Sequence, residues 1–493
     1  MRRRRLLRRL ALAFLLCGAA PSGLGPARPV ADEREHALLV TVAEVGADRA
    51  VLWLRSGSAD RLRVGVAPAD DAGAGRTFEA QSRSDWDHIV RVPLEGLRPG
   101  TRYVYRVESA TERVEGGFTS APAAGVDAPV RFLWSGDLGG GGHCRDVEDG
   151  YPIFHAMARR HADFFLFVGD TIYADHVCRV APRVGGNNFV AVSLDAYRAK
   201  YRYNRADPAV QELFRVTPVY ATWDDHEVTN NFSGPTEPLM PIGRRAFRDY
   251  WAVEGPPEEP DRLYRSARWG RSVEVFILDT RQYRSRNTDV DGPGKTMLGA
   301  AQRRWLLDGV SASTATWKVI VSSVPLGIFT GAVSDSWTSA NMFGYPRPGA
   351  GFAHERDLIL GTLRERRIPN VVFLTADVHH AQFLRHDLGG YPVYELIAGP
   401  LAARQGFPRF VDRSLNSRSL GSLGLANNFG EILVDGGMLR AWIRDSTGAT
   451  RVKLKLSAET PSELARGATA PPGRPESWGS GGHVGAPGRK VPI

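Results

Sequence analysis

From residue 130 onward the chain repeats one device: a short apolar run that stops at a polar residue. "VRFLWSGD", "DFFLFVGD", "TPVYATWDD", "VEVFILDT", "KVIVSSVP" and "NVVFLTADVH" all follow it. Apolar runs of this length without polar alternation read as strands covered on both faces. Helix-forming stretches separate several of them, including "YPIFHAMARRH", "AQRRWLLDGV" and "HERDLILGTLRERR". Buried strands with intervening helices specify an α/β layered domain, here residues 130–457. Three later runs, "EILVDGG", "MLRAWIRD" and "RVKLKLS", read as its closing antiparallel strands. In such folds ligands gather outside the carboxyl ends of strands, and that is where this chain places its acids.

Residues 36–120 have a different pattern. "HALLVTVAEV", "RAVLWLRS", "RLRVGVAP", "DHIVRVPLEGL" and "TRYVYRVES" are short β-rich runs divided by turn residues, the layout of an all-β sandwich. "LEGLRPGTRYVYRV" resembles the turn and late strand of a fibronectin type III domain. A linker is expected over 121–129, and a disordered Gly/Pro-rich tail over 458–493.

The chain opens "MRRRRLLRRLALAFLLCGAAPSGLG". A basic run before a short apolar stretch and small residues describes an export signal, assigned to residues 1–31. The apolar stretch is too short for a comfortable membrane span. The expectation is a bacterial protein exported to the periplasm, cell surface or medium, with no stable membrane span after processing. Seven arginines and no acids lie in residues 1–30, against a formal charge of +9 for the whole chain. The basic balance is therefore local, and no specific nucleic-acid recognition is expected. Cys144 and Cys178 remain once Cys17 leaves with the signal. An exported pair is a candidate disulfide, while Cys144 is also a candidate metal ligand.

Four strand ends carry ligand-type residues. "SGDLGGGGHC" holds Asp137 and Cys144; "VGDTIYAD" holds Asp170, Tyr173 and Asp175. "TWDDHEVTNN" holds Asp225, His226 and Asn230; "TADVHHAQF" holds Asp377, His379 and His380. Acids from four strand ends converging on one sheet edge repel one another unless a cation neutralises them. A metal centre is the economical explanation, and mixed O, N and S donors suit a transition metal with a harder cation beside it. Two neighbouring metals activate water and stabilise in-line displacement at phosphorus.

With these landmarks the chain resembles the calcineurin-like metallophosphoesterases, and is most similar to their PhoD-like alkaline phosphatase/phosphodiesterase family over roughly 130–445. "GDTIYAD", "DPAVQELFRVTPVYATWDDHEVTNN", "LDTRQYRS", "MLGAAQRRWL" and "LTADVHHAQF" carry the resemblance in that order. It implies a layered metallophosphoesterase-type β-sandwich flanked by helices, preceded by the fibronectin-like domain. It further implies a dinuclear centre bridged by Asp170. Asp137, Cys144, Tyr173 and His379 would favour Fe³⁺, and Asp225, Asn230 and Asp377 would favour Ca²⁺, with other divalent metals as alternatives. His226 would approach the phosphate, a metal-held hydroxide would attack, and Asp224 and Glu227 would orient the ligands. Arg145 is a candidate phosphate contact. The implied activity is hydrolysis of phosphomonoesters, phosphodiesters or both. The alternatives are a phospholipase D-like phosphodiesterase and a non-catalytic binder of cell-wall polymer. Ala376 stands where the family has glycine, and "VSSVPL" lacks the histidine of broader metallophosphoesterases, which argues against a purple acid phosphatase. In "DSW", 335–337, Trp337 serves either packing or the substrate cleft.

Overall fold

A computed structural model describes residues 37–140, 143–178, 183–330 and 335–459. The expected export signal lies outside the described residues, as does the expected tail beyond Glu459. Among the described residues no helix is long and apolar enough to cross a membrane.

The N-terminal region contains β1 (Leu39–Ala43), β2 (Arg49–Arg55), β3 (Arg61–Pro68), β4 (Arg76–Gln81), β5 (Ile89–Glu95), β6 (Arg102–Glu108) and β7 (Arg113–Thr119). β6 shows the governing period: Tyr103, Tyr105 and Val107 are buried and their neighbours exposed, as in a strand with one wet face. The Tyr103 hydroxyl accepts a hydrogen bond from the Arg98 backbone N–H (2.8 Å), the tyrosine-corner device of β-sandwiches. β4-β3-β6-β7 form a sheet of their own. The other three strands do not close a separate sheet. β1 pairs in parallel with β10 (Val219–Thr222) at Ala43 and Val219, so this half of the β domain continues the sheet that carries the site.

That sheet has nine strands. Its centre is β8 (Val130–Ser135), β9 (Phe164–Val168) and β10, all parallel. The closing strands β18 (Asn428–Asp435), β19 (Met438–Asp445) and β20 (Thr450–Ser457) extend it antiparallel from β8. A seven-stranded sheet faces it, in the order β11-β12-β13-β14-β16-β15-β17. Its members are β11 (Arg265–Trp269), β12 (Val273–Ile277), β13 (Trp317–Val321), β14 (Val371–Thr375), β15 (Ala381–Asp387), β16 (Pro392–Ile397) and β17 (Arg418–Leu423). β12, β13, β14 and β16 are parallel.

The core between the sheets is a single apolar cluster. Trp134, Leu166 and Val168 from one sheet join Val275, Val319 and Leu374 from the other. On the outer face of the first sheet lie α1 (Ile153–Ala158), α2 (Leu194–Arg205), α3 (Pro208–Phe214) and α4 (Met240–Tyr250). On that of the second lie α5 (Gly299–Ala312) and α6 (Ala353–Glu365). Both faces of each central strand are therefore covered, which is why the sequence shows unbroken apolar runs. The carboxyl ends of the parallel strands meet across the two sheets. Thr222 Oγ1 donates to the Leu278 carbonyl (2.8 Å), and Ser323 Oγ donates to Asp224 Oδ1 (2.6 Å). Ala376 finds its room here: a side chain on Gly136 would lie 2.9 Å from its methyl carbon.

Candidate metal centre

The chain leaves these strands through left-handed backbone at ligand-type residues: Asp137 (φ 63°), Asp170 (50°), Asp377 (69°) and His379 (57°). Non-glycine residues seldom adopt that region, and it persists only where surrounding structure imposes it. Here neighbouring strand ends impose it. Asp137 N–H donates to the Gly169 carbonyl (3.3 Å) and Leu138 N–H to the Asp170 carbonyl (2.8 Å). Ala402 and Ala403 N–H both donate to the Asp137 carbonyl (3.1 Å each). Gly399 (φ 128°) passes so close that a Cβ there would lie 2.4 Å from Asp137 Oδ2.

These turns bring two overlapping sets of donor atoms together. One atom from each of Asp137, Asp170 and His379 lies within 4.8 Å of the others, and the same holds for Asp170, Asp225 and His226. Asp170 belongs to both sets. Tyr173 joins the first, its hydroxyl 3.1 Å from His379 Nε2. His379 Nδ1–H donates to the Arg404 carbonyl (2.6 Å), which fixes the tautomer and leaves Nε2 toward the cluster.

The electrostatics call for a cation. Burial, then the charge of Asp224, pushes the Asp137 carboxyl well above the usual range. Burial, then Asp225 and Asp224, does the same to Asp170. Burial, then Asp224 and Asp225, raises Asp377. Burial and the charge of Asp170 also raise the Tyr173 phenol. Asp137 Oδ2 and Asp377 Oδ2 are buried and have no hydrogen-bond partner. Orphaned carboxylate oxygens crowded with an imidazole and a phenol fit a metal ion, which would supply the missing charge and satisfy the lone pairs.

The "TWDDHEVTNN" stretch divides its work. Asp225 faces the site and accepts hydrogen bonds from His226 N–H (2.9 Å) and Asn231 N–H (2.6 Å). Glu227 is wholly buried and faces away from solvent. It accepts from Thr171 N–H (2.6 Å), Thr171 Oγ1 (2.7 Å), Asp170 N–H (3.2 Å) and Asp224 N–H (2.8 Å), so one carboxylate locks two of the turns. His226 Nδ1 donates to Asp175 Oδ1 (2.7 Å), and its ring stacks on Tyr173 at 4.2 Å. Burial alone would lower the His226 pKa. The charge of Asp225 and the bond to Asp175 outweigh it and raise the group to about 9. Asn230 is exposed at the rim, its N–H donating to Asp175 Oδ2 (2.9 Å).

Two sequence expectations are corrected. Cys144 is joined to Cys178 in a disulfide. A disulfide sulfur has no thiolate to offer, so Cys144 drops out of the ligand set. Arg145 is buried and engaged, 3.3 Å from Asp207 Oδ2 and donating to the Tyr203 carbonyl (2.8 Å), so its guanidinium is not presented to a phosphate. The open choice at "DSW" resolves toward packing: Trp337 is buried, its indole N–H on Ser322 Oγ (3.0 Å).

Three supporting residues carried no assignment in the sequence reading. Asp175 holds His226. Arg281, fully buried, donates to Asp224 Oδ1 (2.7 Å) and forks onto Asp335 (2.8 and 2.5 Å). Arg409 donates to the Phe329 carbonyl (2.6 Å), and its charge acts on both Asp377 and His379. An arginine directly after the strand-ending "VEVFILDT" was the one signal available for Arg281.

Comparison with known proteins bears on this site. The family model of the PhoD-like phosphatases matches residues 142–432, and that of the PhoD-like phosphatase N-terminal domain matches 25–122. Alkaline phosphatase D of Bacillus subtilis (strain 168) is 28% identical over 329 residues, 59% of this chain and 53% of that protein. The match thus spans about half the length of that relative. A solved structure of PhoD superposes with a TM-score of 0.68 at 21% identity, covering 85% of this chain and 88% of the other. A purple acid phosphatase from yellow lupin (Lupinus luteus) seeds gives 0.60 at 13% identity, covering 89% and 77%. At these identities the two structures speak for the fold alone.

Proposed function

The chain belongs to the PhoD-like phosphatase family, and from that premise we propose that it is a metal-dependent phosphoesterase acting on phosphomonoesters, phosphodiesters or both. The observation that carries the reading is Asp170, shared between two donor sets, in a cluster where the buried Asp137 Oδ2 and Asp377 Oδ2 lack hydrogen-bond partners. Asp137, Asp170, Tyr173 and His379 would hold one metal. Carboxylate, phenolate and imidazole donors suit Fe³⁺ without the Cys144 sulfur. Asp170, Asp225, Asn230 and Asp377 would hold the second through oxygen alone, which suits Ca²⁺. Such a centre, when bound, supplies an acidified water and positive charge for the phosphoryl oxygens.

The chain's own groups do the rest. Asp175 holds His226 with Nδ1 occupied, which leaves Nε2 to face the ester. A protonated Nε2 donates a hydrogen bond to a phosphoryl oxygen or gives its proton to the departing oxygen. Arg281 and Glu227 keep the strand-end carboxylates from swinging apart. Export is part of the proposal. The arginine-led N-terminus supports it, and the Cys144–Cys178 disulfide suits an oxidising compartment.

Metal analysis of natively exported protein, with hydrolysis of p-nitrophenyl phosphate and bis(p-nitrophenyl) phosphate, tests the reading. Asp170→Asn is expected to lose bound metal and turnover of both esters together. A variant that keeps turnover would refute the shared-ligand role. A wild type that binds wall polymer without hydrolysing either ester would favour a non-catalytic protein. A visible band from tyrosinate-to-iron charge transfer is expected in oxidised, iron-replete protein and should vanish in Tyr173→Phe.

A further inference from the structure

Five aromatic side chains are strongly exposed among the described residues. Four of them stand on two adjacent loops: Phe343 (54%), Tyr345 (51%), Phe407 (68%) and Phe410 (61%). The fifth, Trp86, belongs to the N-terminal β region. Burying apolar rings is the main driving force of folding, so a cluster left in water on one face calls for a function.

The two loops are built to hold these rings outward. In the first, Asn341 Oδ1 accepts from Phe343 N–H (2.9 Å) and Tyr345 N–H (3.2 Å), and Asn341 N–H donates to the Tyr345 carbonyl (2.8 Å). In the second, Asp412 N–H donates to the Gly327 carbonyl (2.8 Å). The loops also bond to each other: Arg413 N–H donates to the Gly344 carbonyl (3.1 Å), and the Phe343 and Phe410 rings are 6.1 Å apart. The surface adjoins the metal centre directly. Gly406 N–H donates to the His379 carbonyl (2.7 Å), and the Arg404 carbonyl receives His379 Nδ1–H.

Within the two segments that carry the rings, the exposed charge has one sign, while Asp291 lies beside the far end of the first, accepting from His354 N–H (2.9 Å). Residues 336–354 contain no acid, and residues 399–430 contain one, Asp412, which is buried on Arg356 (2.7 Å). Arg347, Arg404, Arg409, Arg413 and Arg418 lie in the same two segments. Arg413 lies 4.0 Å over the Tyr345 ring. Exposed aromatic tips on segments whose exposed charges are arginines (Arg404, Arg413 and Arg418) match the depth profile of a bilayer surface, with rings at headgroup level and cations on the phosphates.

We propose that the 341–347 and 404–413 loops dock on an anionic lipid bilayer and present phosphate esters carried in that surface to the metal centre. Two other occupants fit the charge poorly. A second copy of the chain, meeting through the same patch, would set these arginines against themselves. Residues 460–493 carry Glu463 and Glu476 against Arg466, Arg474, Arg489 and Lys490, so that segment too is net basic. The choice of substrate class rests on the phosphoesterase reading, whereas docking does not.

Cosedimentation of the full chain with phosphatidylcholine vesicles, with and without phosphatidylglycerol, is the test. Binding is expected to the mixed vesicles only and to weaken with salt. Phe407→Ser with Phe410→Ser, and separately Arg413→Glu, should each weaken binding about 10-fold. Hydrolysis of soluble p-nitrophenyl esters should be unchanged in both. The arginine-rich N-terminus is common to all these proteins, so equal binding by wild type and variants would overturn the proposal. So would no binding by wild type, a dimer dispersed by the phenylalanine changes, or binding that requires removal of residues 460–493. Loss of soluble-ester turnover in wild type would refute the phosphoesterase reading and leave the docking result standing.

Discussion

Replacing Arg281 with glutamine tests whether the site's geometry depends on buried charge. The guanidinium is fully buried and donates to Asp224 Oδ1 (2.7 Å) and to both oxygens of Asp335 (2.8 and 2.5 Å). Removing one partner of a buried ion pair costs about 3–5 kcal/mol, because the remaining charge stays out of water unpaired. Here the remaining carboxylates are not wholly abandoned. Asp335 keeps Arg284 (2.6 Å) and Asn287 (2.7 Å), and Asp224 keeps Ser323 (2.6 Å). The loss should therefore fall near the low end, about 3 kcal/mol, read by urea unfolding of metal-free protein. Asp335→Asn alone and the double variant complete a cycle with an expected coupling of about 1–3 kcal/mol. The pH dependence gives an independent reading. Burial alone would raise Asp335, but Arg281 and Arg284 hold it down at about 2. A depressed folded pKa stabilises fully above the unfolded value of about 3.9 and is lost as pH falls toward the folded one. The acid limb of stability between those values should flatten in Asp335→Asn. Arg281→Gln within about 0.5 kcal/mol of wild type, the range of ordinary surface changes, or strict additivity in the cycle, would refute the argument.

Two further outcomes follow from the site. Asp175→Asn removes the charge that holds His226 and should lower kcat about 10–100-fold, with a larger loss on alkyl phosphates than on p-nitrophenyl esters if the imidazole protonates the leaving oxygen. Equal losses would assign His226 to the phosphoryl charge instead. Gly399→Ala places a Cβ where Asp137 Oδ2 now lies 2.4 Å away, at a φ of 128° that favours glycine; titration should show metal affinity reduced about 10–100-fold, and unchanged affinity would mean that Asp137 does not bind metal.

What could be read from the sequence, and what could not, separates along one physical line. Strands buried on both faces must be apolar along their whole length, so β8, β9, β10, β12, β13 and β14 were legible, and with them the acids at their ends. "RTFEAQ" and "RVEGGFT" became β4 and β7 without that mark, because the first is largely exposed and the second carries two glycines. The continuity of the N-terminal strands with the central sheet rests on backbone pairing at Ala43 and Val219. Such pairing leaves no trace in side-chain type. The supporting residues follow the same rule. Asp170 and Asp225 announce themselves by standing after an apolar run. Arg281 looks like any basic loop residue until Asp224 and Asp335, 57 and 54 positions away, are folded around it. Cys144 is the converse case. Its place beside the site made a sulfur ligand a reasonable reading, and only the approach of Cys178, 34 residues on, removes the thiolate. A donor's chemical type is local information, whereas its availability is decided by the partners that folding brings to it. In this chain the candidate ligands could therefore be nominated from sequence, while the choice among them required the neighbours.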